Sequence, residues 1–159
     1  MNISIICVGK IKEKFYRDAI DEYSKRLSRY CKLDIVEVAD EKTPDNASIK
    51  EELQIKDKEG EGILKNIKDN MYLIAMDIKG EMITSELLAV KIKNLGISGD
   101  SNIAFVIGGS LGLSNKVLDR ADYKLSFSSI TFPHQLFRVM ALEQIYRGFR
   151  INAGEPYHK

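Results

Sequence analysis

Between Asn102 and Gly112 the chain reads Asn-Ile-Ala-Phe-Val-Ile and then Gly-Gly-Ser-Leu-Gly. A short run with no polar alternation is the habit of a strand covered on both faces, as in a parallel sheet with helices above and below. Glycines directly after it supply positive φ and let the backbone come close to a ligand. In an open parallel sheet such strand ends are where ligands bind. This segment therefore predicts an α/β fold with a binding loop after a buried strand; a tight strand-to-helix turn without a ligand is the competing reading.

The rest of the chain fits that frame. Strand-like apolar runs at Asn2–Val8, Leu33–Val38, Met71–Asp77 and Leu125–Ser128 alternate with helical spacings throughout. Phe15, Ala19, Tyr23, Leu27 and Tyr30 mark one helix, and Ser48 with Glu51 forms a capping box before a second. Gly60 and Gly62 each cost about 1 kcal/mol relative to Ala inside a helix, so a kink or break is expected there. Lys79-Gly80 reads as a turn, Ser85 as the cap of a helix ending at Gly96, Ser114 as the start of a short helix, and Pro133 as the opening of a last helix through Arg147. No Ser/Gly/Pro-rich linker or repeat divides the 159 residues, so one domain, residues 1–159, is expected.

Composition narrows the function classes. Cys7 and Cys31 lie far apart, there is no CxxC, and only two histidines accompany them, so neither a zinc site nor a disulfide framework is suggested. The apolar start Ile3–Val8 is too short for a signal peptide, and no stretch approaches the roughly 20 residues that cross a bilayer. A soluble, cytoplasmic protein is expected. The net charge of +1 gives no sign of a nucleic-acid partner, although residues 124–159 carry +3 and form the one candidate anion-facing region.

The glycine loop is neither of two familiar nucleotide motifs. A P-loop needs Gly-Lys-Ser/Thr after its glycines, whereas this loop continues Leu113-Ser114-Asn115; the dinucleotide fingerprint GxGxxG belongs to the first strand-helix unit, whereas this loop follows the fourth strand. A second stretch, Leu125 to His134, gathers small hydroxyl residues between aromatic ones. It offers amides, hydroxyls and apolar walls suited to an adenosine, and reads equally well as a surface connection. His134, at a helix start, is a candidate base or RNA contact, with a structural role favoured. Tyr157 and His158 lie in a polar tail that is either frayed or, through ring stacking and hydrogen bonding, suited to unpaired RNA.

The glycine loop, the Ser-rich loop, the helix start Phe132-Pro133-His134-Gln135-Leu136-Phe137-Arg138 and the ending Glu155-Pro156-Tyr157-His158-Lys159 occur together. In that combination the sequence resembles the ribosomal RNA large-subunit methyltransferase H family of the SPOUT superfamily, from Val8-Gly9-Lys10 to the terminus. The resemblance implies a single-domain SPOUT-type α/β parallel-sheet fold with a trefoil knot near the C-terminus, in a homodimer. It implies S-adenosyl-L-methionine as methyl donor, held by Met76, Gly108, Phe127, Ser128, Ser129, Ile130, Thr131 and Phe132, without a metal. The family often has Leu in place of Met76, a change that keeps the site apolar.

The implied substrate is a pseudouridine of 23S ribosomal RNA in the assembled ribosome, methylated at N3. Tyr157 and His158 become candidates for the catalytic target-base pocket, of their own subunit or across the dimer, and Arg138, Arg147, Arg150 and Lys159 for RNA contacts. Two readings of other classes compete: a catalytically silent RNA- or ribosome-binding module on the same fold, and a nucleotide-dependent oxidoreductase, which would bind NAD in place of S-adenosylmethionine.

Overall fold

A computed structural model describes the whole chain, Met1–Lys159. In chain order the elements are β1 (Asn2–Val8), α1 (Lys14–Leu27), β2 (Lys32–Val38), α2 (Ile49–Leu64), β3 (Tyr72–Met82), α3 (Ser85–Ser98), β4 (Asn102–Ile107), α4 (Asn115–Arg120), β5 (Tyr123–Ser126) and α5 (His134–Asn152). The five strands form one sheet in the order β2-β1-β4-β3-β5, and every neighbouring pair is parallel. The α/β reading of the sequence is the fold that forms.

Two apolar layers sandwich the sheet. In β4, Ile103, Phe105 and Ile107 point to the face covered by α1, α3 and α5, while Ala104 and Val106 meet α2 and α4 on the other. The period of two is thus present inside a run that is apolar on both sides. Free Cys7 and Cys31 are buried in the first layer, and burial pushes each thiol up to about 11.

Several boundaries differ from expectation for tertiary reasons. Helix α2 runs unbroken through Gly60 and Gly62. A Cβ on Gly60 would lie 2.2 Å from Ser114 Oγ and one on Gly62 2.5 Å from Val38 Cγ1, so the glycines let α2 press against the α4 start and β2. Close packing outweighs their weak propensity.

Strand β3 continues through the expected turn at Lys79-Gly80, with its pairing to β5 shifted between Met76 and Glu81. Gly80 is required there because a Cβ would sit 2.7 Å from the Leu125 backbone. Thr84, not Ser85, caps α3 by accepting from the Leu87 amide at 3.2 Å, and Ser85 instead donates to Gln144 at 2.7 Å. That helix ends at Gly99, which takes the left-handed C-cap conformation at φ 95°, and not at Gly96. Strand β5 begins earlier, at Tyr123, and α5 runs past Arg147 to Asn152.

Candidate active site

Met76 of β3 pairs with Ile107 of β4 and Leu125 of β5, so β4 and β5 finish on either side of β3 at the carboxyl edge of the sheet, and β3 runs on past them. The glycine loop leaves β4 there and the hydroxyl-rich loop leaves β5. Between them lies an open pocket of about 460 Å³, lined by residues 76–78, 107–113, 125–128 and 130–134 with Phe137. That volume suits a small organic ligand. A larger, shallower hollow of about 890 Å³ around Met1, Ser24 and Lys32 opens at the amino edge of the sheet. The carboxyl edge is where this class of sheet binds ligands.

Each loop is held by its own bonds. Gly112 takes φ +84° and donates its amide to the Gly109 carbonyl at 3.1 Å. A Cβ on Gly108 would meet the Gly112 carbonyl carbon at 2.7 Å, so the glycine is needed for the loop to close on itself. In the other loop Ser126 Oγ donates to the Ser128 carbonyl at 3.1 Å, and Ser128 Oγ accepts from the Ile130 amide at 3.0 Å. Phe127 and Phe132 brace this loop on Phe137 of α5, with ring centroids 5.1 and 6.4 Å away.

Behind the glycine loop is a residue that sequence reasoning missed. Glu59 of α2 is buried, and its Oε1 accepts from the Glu41 amide at 3.1 Å. Its Oε2 has no hydrogen-bond partner and lies 3.1 Å from where a Cβ on Gly109 would be. Burial, reinforced by the nearby Asp40 and Glu41 carboxylates, raises the Glu59 carboxyl above the ordinary range despite the Glu41 amide. No local pattern distinguishes this acid from the exposed acids beside it in α2. His134 lines the pocket, and burial followed by the Arg138 charge holds its imidazole below the usual value.

Of the eight residues expected around the donor, Met76, Gly108, Phe127, Ser128, Ile130, Thr131 and Phe132 line this one pocket, while Ser129 does not. Tyr157 and His158 are elsewhere, docked on the seam between α3 and α5. Tyr157 donates to Glu143 Oε1 at 3.2 Å with the Arg147 guanidinium 4.7 Å over its ring. Burial first, then the Glu143 charge, pushes the phenol up to about 12, so it remains a donor at neutral pH. His158 Nε2 lies 2.8 Å from Glu86 Oε1 and its Nδ1 3.3 Å from Arg147. Glu86 is drawn down to about 2 by its own backbone amide and then by His158. A hollow of about 390 Å³ beneath α3 and α5 shares Leu125 and Phe127 with the main pocket and reaches Glu143.

The expected arginine surface is corrected at Arg138. Arg138 is 1% exposed, with its guanidinium on Glu37 at 3.2 Å and the Gly9 carbonyl at 2.9 Å, and is no open phosphate contact. Arg147 is paired with Glu143 at 2.6 Å and Arg150 with Glu155 at 2.7 Å. The positive surplus of the C-terminal quarter is largely spent inside the molecule, and Lys159 remains exposed. No cluster of His, Cys, Asp or Glu is placed to hold a metal, and no helix is long and apolar enough to cross a membrane.

Fold and site together define an α/β protein of the small-ligand-binding class, its pocket built on adjoining parallel strand ends. The family model described as "Predicted SPOUT methyltransferase" matches residues 1–158, and the chain belongs to that family. It is 73% identical over the full length of both chains to the Ribosomal RNA large subunit methyltransferase H of Clostridium beijerinckii, and 72% identical, again over full length, to that of Clostridium botulinum strain Langeland. Among solved structures, a probable methylase family protein of Haemophilus influenzae superposes with a TM-score of 0.54 at 15% identity, over 99% of this chain and 70% of that one. A probable methyltransferase of Bordetella pertussis gives 0.54 at 11% identity, over 92% and 95%. At such identities the two structures show the shared fold.

Proposed function

We propose that this chain is a cytoplasmic S-adenosylmethionine-dependent methyltransferase that modifies N3 of a pseudouridine in 23S ribosomal RNA of the assembled ribosome, working as a homodimer with a trefoil knot near its C-terminus. The observation that carries this reading is full-length identity above 70% to proteins named for methylation of large-subunit ribosomal RNA, in a chain of the SPOUT family. The pocket fits the donor. Met76, Phe127, Ile130 and Phe132 provide apolar walls for an adenine, and the glycine loop brings main-chain groups within reach of a polar end.

The bound donor supplies an electrophilic methyl group, so the protein's main task is geometric. Holding the nucleophilic nitrogen in line with that methyl contributes up to about 7–11 kcal/mol. Phe127, Phe132 and Phe137 brace the wall of the pocket. Loss of the N3 proton must accompany or precede attack. Tyr157, its hydroxyl held by Glu143, offers its ring for stacking on the target base, while His158 and water are the two proton acceptors in this reading. Because both tail residues sit away from the pocket of their own chain, the tail of one subunit serves the pocket of the other.

The test is transfer of labelled methyl from S-adenosylmethionine to intact ribosomes and to free 23S RNA from cells lacking the protein. Incorporation at one pseudouridine, greater on ribosomes, is expected. Donor binding without transfer to either would require another substrate, and absence of donor binding would leave a silent RNA-binding module.

A further inference from the structure

With the C-terminal arginines paired internally, the open positive charge near the pocket lies in a segment that sequence reasoning assigned only to structure. Residues 10–17, Lys-Ile-Lys-Glu-Lys-Phe-Tyr-Arg, carry four cations against one carboxylate at the β1–α1 junction. Two of these are committed. Lys14 pairs with Asp18 at 2.6 Å, and Arg17 donates to the Lys12 carbonyl at 2.7 Å, which pins the loop. Lys10 and Lys12 are exposed and have no carboxylate within 4.0 Å.

Beside them Phe15 is 63% exposed, although an aromatic ring is costly to leave in water, and its centroid is 4.3 Å from that of Tyr16. The segment adjoins the candidate active site. The Lys12 amide donates to Gln135 at 3.0 Å, and Gly9 lies against His134, which lines the pocket.

We propose that Lys10, Lys12, Phe15 and Tyr16 form a contact surface for an unpaired RNA strand at the mouth of the pocket. The lysines meet phosphates and the aromatic pair offers a face on which a base stacks. Free cations next to an exposed ring are the two components that single-strand binding requires. The isolated exposed residues Ile49 and Ile97 provide neither. This surface rests on the reading of the chain as an RNA methyltransferase and places the incoming strand along the β1–α1 loop.

The experiment measures binding of a labelled single-stranded oligouridylate and of an RNA duplex by fluorescence anisotropy across a salt series. The proteins are the wild type, K10A/K12A, F15A and, as control, K65A/K68A, whose lysines lie at the opposite, amino edge of the sheet before β3. Thermal melting checks that each variant is folded. The lysine pair is expected to lower the log–log salt slope for the single strand by about 1.4, at roughly 0.7 per phosphate contact. F15A is expected to weaken single-strand binding by about fivefold or more, the lower end for one stacked base, and to spare the duplex. The control should bind like the wild type. Unchanged single-strand binding in K10A/K12A and F15A, or no RNA binding by the wild type, overturns the proposal. RNA binding that depends on these residues, together with no methyl transfer to ribosomes, instead overturns the functional reading and leaves this surface standing.

Discussion

Arg138 donates to the carbonyl oxygen of Gly9 at 2.9 Å, tying the second turn of α5 to the residue after β1 across 129 positions of sequence. The same guanidinium meets Glu37 just before the end of β2. One buried cation thus fixes the helix that begins at the pocket relative to two strands. Arg138→Leu removes charged hydrogen bonds worth about 1.5–3 kcal/mol each. For the two bonds together a loss of up to about 3–6 kcal/mol in chemical denaturation is expected, with the RNA affinity of the folded fraction unchanged. A folded variant that loses only RNA affinity would restore Arg138 as a phosphate contact.

Glu59 predicts a dependence of stability on pH. A carboxyl whose value is raised on folding holds its proton more tightly in the native state. Its contribution is complete below the ordinary carboxylate range and is lost as pH climbs through the raised value. Glu59→Gln keeps the acceptor for the Glu41 amide and removes the ionisation. Urea denaturation of both proteins from mildly acid to neutral pH is expected to show the variant gaining on the wild type as pH rises. A constant difference would show that Glu59 ionises in the native state as it does in the unfolded chain.

The glycine loop separates two kinds of requirement. Gly112 has open space around its Cα but takes φ +84°, so Gly112→Ala carries about 1–2 kcal/mol of backbone strain. Gly108→Ala instead drives a methyl into the Gly112 backbone and deforms the pocket wall. Calorimetric titration with S-adenosylmethionine is expected to show the larger loss for Gly108→Ala, about tenfold or more for a displacement costing 1.4 kcal/mol. Equal affinities would mean that the donor does not rest on this loop.

Deleting residues 157–159 is expected to abolish methyl transfer while leaving donor affinity within about twofold, because the pocket contains none of them. A fully active truncation would remove the tail from the mechanism. Glu86→Gln, which weakens the anchor of His158 at 2.8 Å, should speed amide exchange in the tail without this loss.

Much of the architecture was legible because its causes are local. The Ser48–Glu51 capping box forms with both reciprocal bonds, at 3.2 and 2.7 Å, as residue types at that spacing dictate. The apolar run before Gly108 announced a strand buried on both faces. The residues named for the donor came from the family resemblance and not from local causes, and seven of those eight line one pocket. What escaped depends on partners far along the chain. Arg138 looked like surface charge because Glu37 lies 101 positions away. Gly60 and Gly62 looked like helix breakers because Ser114 and Val38, which need their missing Cβ atoms, are brought in only by the fold. The place of the tail on the α3–α5 seam of its own chain follows from Glu86 and Glu143, which no local pattern marks.

Cys7 lies in β1, an interior strand, and Cys31 just before β2 at the sheet's edge, both buried and both with thiols pushed up to about 11. Neither presents a thiolate to solvent while the sheet is closed. The two sulfurs therefore serve as a built-in clock for the molecule's rare excursions from its native state. In an aromatic disulfide reagent, the rate at which colour develops reports how often the strands part, and two distinct rates would show the edge at β2 loosening before the centre.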